Sequence, residues 1–242
     1  MKSKPKWKME SHEASGNNFY YDGQDFELKC GHDRLTGCSW LPQDAVPKFI
    51  IVAVHELGSF ATQSHHMVDF FVKHGGAVFS CDHKGHGRSQ GLRLCVTIEE
   101  IIQETAEMLR YTAQSFQMIP IVLYARSTGA LVVLDGLFNS LGGITPRLKG
   151  VIVESPFISR KPSARRSFLE SLFIWGASKI FPRMLLEFDT VLSSPGIPFK
   201  YIRESQATTF FFPFLPVSLY DGLLRSMTRV RSATFENLPR IP

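Results

Sequence analysis

The sequence predicts an α/β fold with a mostly parallel sheet flanked by helices. Three apolar runs of strand length, at residues 48–54, 77–81 and 121–125, each end in a turn rich in polar residues or glycine. A helical apolar pattern follows each of these turns. Strands that alternate with helices indicate βαβ units, whose strands run parallel in one sheet.

The first elements predict a hairpin ahead of the parallel strands. Residues 26–30 and 35–41 alternate as strands do, and a Gly-His-Asp turn joins them. Residues 1–17 are polar and read as a flexible N-terminal segment. They begin with a basic stretch and lack the apolar core of a signal peptide.

The helices follow from apolar spacing and capping residues. Residues 60–73 predict a helix that Gly75 and Gly76 close. A second helix opens after Thr97, a candidate N-cap with Glu100 at the capping-box position, and continues to about residue 116. Residues 150–154 are apolar in the middle, which is typical of a buried parallel strand.

Ser127 lies at the apex of a strand-turn-helix segment, in the sequence Ala-Arg-Ser-Thr-Gly. Such a turn exposes the hydroxyl at the carboxyl edge of the sheet, where the first amide of the helix can face a developing oxyanion. A serine that only caps a buried helix gives the same pattern. This segment alone therefore leaves a catalytic and a structural interpretation open.

Two further loop motifs precede the serine turn, and the order of the three motifs resembles that of a known family. His-Glu-Leu-Gly at 55–58 follows the first run, and Asp-His-Lys-Gly-His-Gly-Arg-Ser-Gln-Gly at 82–91 follows the second. From about Phe26 onward, the chain resembles the α/β-hydrolase fold, in its monoacylglycerol lipase-like branch (serine aminopeptidase S33, or Hydrolase_4). The resemblance implies that Ser127 is the nucleophile and that the backbone N–H groups of Leu57 and Thr128 form the oxyanion hole.

The same resemblance implies a division of the chain. Residues 18–158 would form the α/β-hydrolase core, 159–233 a helical lid region, and 234–242 the start of a truncated return to the core. The lid region is apolar and aromatic, notably at 168–186 and 210–216. It suits an acyl-ester or lipid substrate and contact with a membrane surface, although packing of the lid on the core explains single aromatic residues equally well.

The expected catalytic triad is incomplete in this chain. In the resembled family, the aspartate and histidine follow two further strands, and no residue here matches either of them. All eight histidines precede Ser127. His83 and His86 are the first alternatives as base, against structural hydrogen bonds for both. We expect that the last core strands and helix are absent, so that the strand containing residues 151–153 is unpaired on one side. We also expect little or no esterase turnover from the chain as given.

Several residues near the serine depart from the family pattern. Glu56 replaces a glycine of the oxyanion turn, and its carboxylate would oppose an oxyanion if it pointed inward. Ala125 and Ala130 replace the glycines that flank the serine turn in many relatives. Arg126 precedes the serine, and a guanidinium cannot act as a base at neutral pH.

Two hypotheses of different classes remain open. One is a serine ester hydrolase of monoacylglycerol lipase or lysophospholipase type, and the other is a non-catalytic relative that binds lipid or a protein partner. Four cysteines without metal-ligand spacing and a net charge of +5 with scattered basic residues give no indication of a metal, a cofactor or nucleic acid. We expect a cytoplasmic protein with reduced thiols, free or peripherally bound to a membrane.

Overall fold

The computed structural model describes residues 23–43, 45–63, 65–139, 141, 147–159, 167–187 and 214–233. The predicted flexible segment at 1–17 and the predicted return segment at 234–242 lie outside these residues. So do residues 188–213 of the predicted lid region.

Six strands form one mixed sheet in the order β1-β2-β4-β3-β5-β6. The antiparallel pairings β1–β2 and β2–β4 lie on one side, and β4, β3, β5 and β6 run parallel. The carboxyl ends of the four parallel strands therefore meet at one edge. The predicted α/β class and the predicted hairpin are confirmed. The strands are β1 (Gln24–Cys30), β2 (Asp33–Trp40), β3 (Phe49–Val54), β4 (Gly76–Cys81), β5 (Ile121–Arg126) and β6 (Leu148–Glu154).

Five α-helices accompany the sheet in the described residues: α1 (His65–Lys73), α2 (Ile98–Ser115), α3 (Ser127–Asn139), α4 (Phe168–Ile180) and α5 (Val217–Ser232). A two-stranded antiparallel ribbon, β7 (Leu185–Glu187) and β8 (Phe214–Pro216), lies between the last two helices along the chain. The capping box at α2 is confirmed, because the Glu100 amide donates to Thr97 Oγ1 at 3.1 Å and the Thr97 amide donates to Glu100 Oε2 at 2.7 Å.

The helix predicted over residues 60–73 begins later than expected. Residues Ala61–Gln63 form a 3-10 turn, and α1 starts at His65. The Ala61 amide donates to the Asp82 carboxylate at 2.6 Å, so this segment is tied to the loop after β4. That tie takes the backbone out of the continuous helical path that apolar spacing alone suggested.

The two faces of the sheet carry two separate apolar clusters. Side chains alternate along each strand, so neighbouring residues of β3 point to opposite faces. The larger cluster joins one face to α2, α3 and α5. The smaller one lies under α1 and comprises Cys38, Trp40, Ile51, Ala53, Val68 and Val78. The core therefore sits mainly between the sheet and the three-helix layer.

A buried ion pair fixes α5 to that layer. Asp135 on α3 is fully buried, and Arg229 on α5 reaches its carboxylate with Nε at 2.9 Å and also through Nη2. Arg229 Nη2 lies 3.4 Å from Glu99 at the start of α2. One guanidinium thus joins three helices.

Strand β6 is less buried than its apolar middle predicted, and in the described residues it has the unpaired edge that we expected. Ile152 and Val153 are 42% and 38% exposed. In the described part of the chain, β6 pairs only with β5 and stands at the edge of the sheet. Its apolar residues lack the second neighbour that covers β3, which accounts for their exposure.

The four cysteines are free thiols. Cys30 lies opposite Asp33 and Cys38 opposite Asp25 in the hairpin register, so the two thiols do not face each other. This agrees with the expectation of reduced cysteines.

Candidate active site

Ser127 occupies the sharp turn between β5 and α3. Its φ of 52° lies in the left-handed region, which costs a non-glycine residue of order 1–3 kcal/mol. The strand ends at Arg126, and the helix begins at Ser127 itself. The amide of Phe157, beyond β6, donates to the Ser127 carbonyl at 3.0 Å. Neighbouring structure thus holds the serine at the carboxyl edge of the sheet, as the sequence predicted.

The turn after β3 lies directly against this serine turn. A Cβ added to Gly129 would come within 2.6 Å of the His55 carbonyl oxygen, so only glycine permits the approach. The Leu57 amide donates to the Thr128 hydroxyl at 2.8 Å. One of the two expected oxyanion donors therefore has an internal acceptor in this structure. Sequence analysis missed this contact, for which the threonine after the serine was the only available signal.

Glu56 is half-buried in the turn after β3, which packs against the serine turn. Burial raises the pKa of Glu56, Arg126 lowers it, Glu154 raises it and Ser127 lowers it. Glu56 therefore lies in the electrostatic environment of the candidate nucleophile.

A second carboxylate, that of Glu154, belongs to the same environment. Glu154 ends β6 opposite Arg126 in the strand register, and its Oε1 is 3.5 Å from Arg126 Nε. The Tyr124 hydroxyl donates to the other oxygen of Glu154. Glu154 is therefore paired with Arg126 and hydrogen-bonded to Tyr124.

The loop at 82–91 is held by hydrogen bonds of Asp82, while His83 Nε2 and His86 Nε2 are buried without a hydrogen-bond partner among the described residues. Asp82 is buried and accepts from the Ala61 amide at 2.6 Å and from the Arg88 amide at 2.9 Å. A Cβ on Gly87, whose φ is 43°, would fall within 2.2 Å of the Asp82 side chain. This loop positions its neighbours and presents no reactive group to Ser127.

Three buried histidines form a cluster behind the turn. The ring of His55 lies 4.2 Å from that of His83 and 5.4 Å from that of His86. His83 Nδ1 lies 2.8 Å from Glu104 Oε2, and the His83 amide donates to His55 Nε2 at 3.1 Å. Within the described residues, the hydrogen bonds of this cluster reach Glu104 and the backbone, and none reaches Ser127.

Burial keeps the three histidines neutral. It lowers the pKa of His83 to about 4 and lowers the pKa values of His55 and His86 well below the ordinary range. Burial also raises the pKa of Glu104 to about 8. The described part of the chain has no group of three or more His, Cys, Asp or Glu side chains arranged to hold a metal ion.

An aromatic and aliphatic surface, here called the aromatic face, lies on α4 and the residues just after it. Its members are strongly exposed: Phe168, Leu169, Leu172, Phe173, Trp175, Ile180 and Phe181. Exposed apolar surface of this extent is uncommon on a folded domain. Among the described helices, none is both long enough and apolar enough to cross a membrane.

Comparison with known protein families gives one match over most of the chain. The family model "serine aminopeptidase, S33" (Hydrolase_4) matches residues 45–232. A monoacylglycerol lipase from Mycolicibacterium smegmatis is 28% identical over 104 residues, which are 43% of this chain. The chain thus spans 37% of the length of that relative.

Solved structures agree at the level of the fold. A monoglyceride lipase from Saccharomyces cerevisiae, crystallised with a substrate analogue, superposes with a TM-score of 0.73 at 12% identity, covering 89% of this chain and 72% of that one. A monoacylglycerol lipase from Paleococcus ferrophilus gives a TM-score of 0.67 at 17% identity, covering 81% and 71%. Identities this low establish the α/β-hydrolase fold alone.

Proposed function

The chain belongs to the serine aminopeptidase S33 (Hydrolase_4) family of α/β-hydrolases, and we propose that it carries the nucleophile and oxyanion donors of a serine hydrolase acting on acyl esters. The observation that carries the proposal is Ser127 at a strained strand-to-helix turn, with φ of 52°. Proteins retain backbone strain where the surrounding structure and the function require it.

In this proposal Ser127 Oγ attacks the acyl carbonyl, and the amides of Leu57 and Thr128 hold the oxyanion. The Thr128 hydroxyl, which accepts from the Leu57 amide at 2.8 Å, turns away when the oxyanion forms.

The substrate class follows from the relatives and the aromatic face. The matched bacterial relative is named a monoacylglycerol lipase, and the yeast structure is a monoglyceride lipase. The aromatic face offers apolar surface to an acyl chain or to the lipid surface that carries it. We therefore propose a monoacylglycerol or lysophospholipid ester as substrate, reached through peripheral contact of this face with lipid.

One observation favours a second candidate function. The Leu57 amide already has an acceptor in the Thr128 hydroxyl, as in a site that no longer stabilises an oxyanion. A non-catalytic relative that binds lipid or a protein partner is the alternative.

Covalent acylation separates the two candidates. The chain is incubated with p-nitrophenyl hexanoate and, separately, with an aminoacyl p-nitroanilide, and adducts are located by peptide mass mapping. We expect a hexanoyl adduct on Ser127 that Ser127→Ala abolishes, and none from the anilide. Fatty-acid binding without any adduct would support the non-catalytic alternative, and an adduct from the anilide alone would contradict the ester substrate.

Contact with lipid has its own test. Trp175 is 55% exposed on the aromatic face, and Trp40 is buried in the smaller core cluster. In a Trp7→Phe background, vesicles of brominated phosphatidylcholine should quench the Trp175 fluorescence, and Trp175→Phe should remove that quenching. Equal quenching in Trp175→Phe would show that the aromatic face does not enter the lipid.

A further inference from the structure

A side chain already takes one of the hydrogen bonds that an oxyanion would need in this site. The Leu57 amide, one of the two proposed oxyanion donors, donates to Thr128 Oγ1 at 2.8 Å. An effective donor lies about 2.7–3.1 Å from the oxyanion that it stabilises. The Thr128 hydroxyl and the oxyanion of a reacting ester would therefore compete for the same N–H group at the same distance.

The turn that carries the Leu57 amide has little freedom to move. The His55 ring donates from Nδ1 to the Glu56 carbonyl at 2.8 Å, which ties the start of the turn to its own backbone. A Cβ on Gly129 would lie 2.6 Å from the His55 carbonyl oxygen, so the turn is in direct contact with the start of α3. A change of hydrogen-bond partner must therefore come from the threonine side chain.

The Thr128 side chain has the freedom that this turn lacks. Among the described residues, the Leu57 amide is its one hydrogen-bond partner. Threonine in a helix populates two χ1 rotamers, so rotation to the other one breaks a single hydrogen bond. The Thr128 backbone amide stays in place during this rotation, and as one of the first N–H groups of α3 it has no acceptor within the helix. Rotation of one side chain therefore makes both proposed donors available.

We propose that Thr128 is a positioning residue whose hydroxyl covers the Leu57 amide in the resting protein and must leave it before the oxyanion of an acyl ester binds there. The inference rests on the function proposed above and adds to it a residue that sets the acylation rate. No covalent bond changes in this step. The Leu57 N–H group exchanges the Thr128 oxygen for the oxygen of the substrate.

The chemistry of the two acceptors indicates which step the hydroxyl affects. Thr128 is 5% exposed, so little water competes with its hydrogen bond. A hydrogen bond to a charged oxygen is stronger than one to a neutral hydroxyl. The exchange is therefore favourable once negative charge develops on the substrate, and the neutral carbonyl of the bound ester gains little from it. The hydroxyl should lower the rate of acylation and leave the binding of the ester unchanged.

Single-turnover acylation of Ser127 by p-nitrophenyl hexanoate tests this inference. Release of p-nitrophenolate over a range of ester concentrations separates the first-order acylation constant from the apparent dissociation constant of the ester. Thr128→Ala removes the hydroxyl, Thr128→Ser keeps it, and Ser127→Ala gives the background. Thr112→Ala is the matched control, because it removes another buried threonine hydroxyl, one that donates to the Met108 carbonyl of α2. Urea unfolding shows whether each variant is folded.

Hydrogen exchange of the Leu57 amide, followed by NMR, measures the contact without any reaction. The amide should exchange slowly in the unmodified chain, in Thr128→Ser and in Thr112→Ala. In Thr128→Ala it should exchange at least about fivefold faster, which is the factor expected for one neutral hydrogen bond.

We expect the acylation constant of Thr128→Ala to rise by the same factor of about fivefold, with an unchanged dissociation constant of the ester. Thr128→Ser and Thr112→Ala should keep both constants of the unmodified chain. A side chain that only supports the fold would not give a faster reaction when it is shortened.

Several results would overturn the inference, and they differ from failure of the proposed function. Acylation of Ser127 at equal or lower rates in folded Thr128→Ala would show that the hydroxyl does not obstruct the oxyanion. A change confined to the dissociation constant would make Thr128 a substrate-binding residue. Equal exchange of the Leu57 amide in Thr128→Ala and the unmodified chain would show that the contact is absent in solution. Absence of Ser127 acylation in every folded variant would remove the proposed function and this inference with it.

Discussion

Ile51 on β3 and Ile152 on β6 are the same residue type on the same face of the sheet, yet Ile51 is 1% exposed and Ile152 is 42% exposed. Ile51 lies opposite Val122 of β5, and Ile152 lies opposite Tyr124, two residues further along that strand. The two isoleucines therefore point the same way from the sheet. Strand β3 has β4 and β5 as neighbours, whereas β6 has β5 alone in the described part of the chain.

The ends of these strands differ in the same sense. Strands β3 and β4 lead into His55 and Asp82, both buried and hydrogen-bonded, whereas β6 ends in Glu154 at a half-exposed ion pair. The edge position of β6 thus accompanies the exposure of both its apolar residues and its terminal glutamate. Stability should reside in the interior strands and the helices over them, and little of it in β6.

The largest effect is expected from the ion pair that holds the helical layer on the interior strands. Arg229→Ala removes the guanidinium that pairs with the fully buried Asp135 carboxylate. Loss of one partner of a buried pair costs about 3–5 kcal/mol. We expect a decrease of that size in the free energy of unfolding, measured by urea titration.

Arg110→Ala is the matched control, because Arg110 pairs with Glu107 on the exposed side of α2. An exposed pair of this kind contributes about 0–1 kcal/mol. Equal losses for the two variants would mean that α5 does not anchor the layer through Asp135.

The isoleucine pair gives the next largest difference. Ile51→Ala removes a side chain from the packed cluster under α1, and such truncations cost about 2–5 kcal/mol. Ile152→Ala should cost less than about 1 kcal/mol, because its side chain is already largely in solvent. Urea unfolding of both variants measures the contrast. Similar losses would show that another part of the chain covers β6 in solution.

Much of this fold is predictable from sequence because its signals are local. Apolar periodicity gives the six strands, and the Thr97–Glu100 capping box gives the start of α2. The exposure of Ile152 is not a local property, since β3 and β6 are both apolar strands. The break before α1 also escapes prediction, because it depends on a hydrogen bond from Ala61 to the distant Asp82.

In the candidate site, too, some features follow from local sequence and others depend on tertiary packing. The position of Ser127 on a strand-to-helix turn follows from the order of elements and is seen in the structure, while its role as nucleophile stays a prediction. The close approach of Gly129 to the His55 carbonyl and the contact of Leu57 with the Thr128 hydroxyl depend on how two turns pack together. No spacing in the sequence encodes these contacts, so only the three-dimensional structure provides them.

The histidines at the ends of the interior strands make stability depend on pH. Their pKa values lie below the ordinary 6.5 in the folded state, so the unfolded chain binds more protons below pH 6.5 and stability falls there. The pKa of Glu104, raised to about 8, acts in the opposite direction between pH 8 and 4.5. Three groups against one give a net loss of stability as the pH falls from 6.5 to 5.

Urea titrations across this range measure the loss. His32 lies exposed in the β1–β2 turn, and His32→Gln serves as the surface control. His86→Gln should reduce the slope by the equivalent of one proton taken up on unfolding. A stability that stays flat from pH 6.5 to 5 would mean that the cluster opens to solvent and takes up protons without unfolding.

The smallest effect on stability is expected from a charge on the edge strand. Ile152→Lys places an ammonium group on the exposed face of β6, where lysine deters edge-to-edge association. The free energy of unfolding should change by no more than about 0.5 kcal/mol. Hydrophobic-dye binding and the concentration dependence of light scattering should both decrease. Ile51→Lys, its interior counterpart, should prevent cooperative folding because the charge would be buried unpaired. A large destabilisation by Ile152→Lys would place β6 among the interior strands and remove the contrast between the two isoleucines.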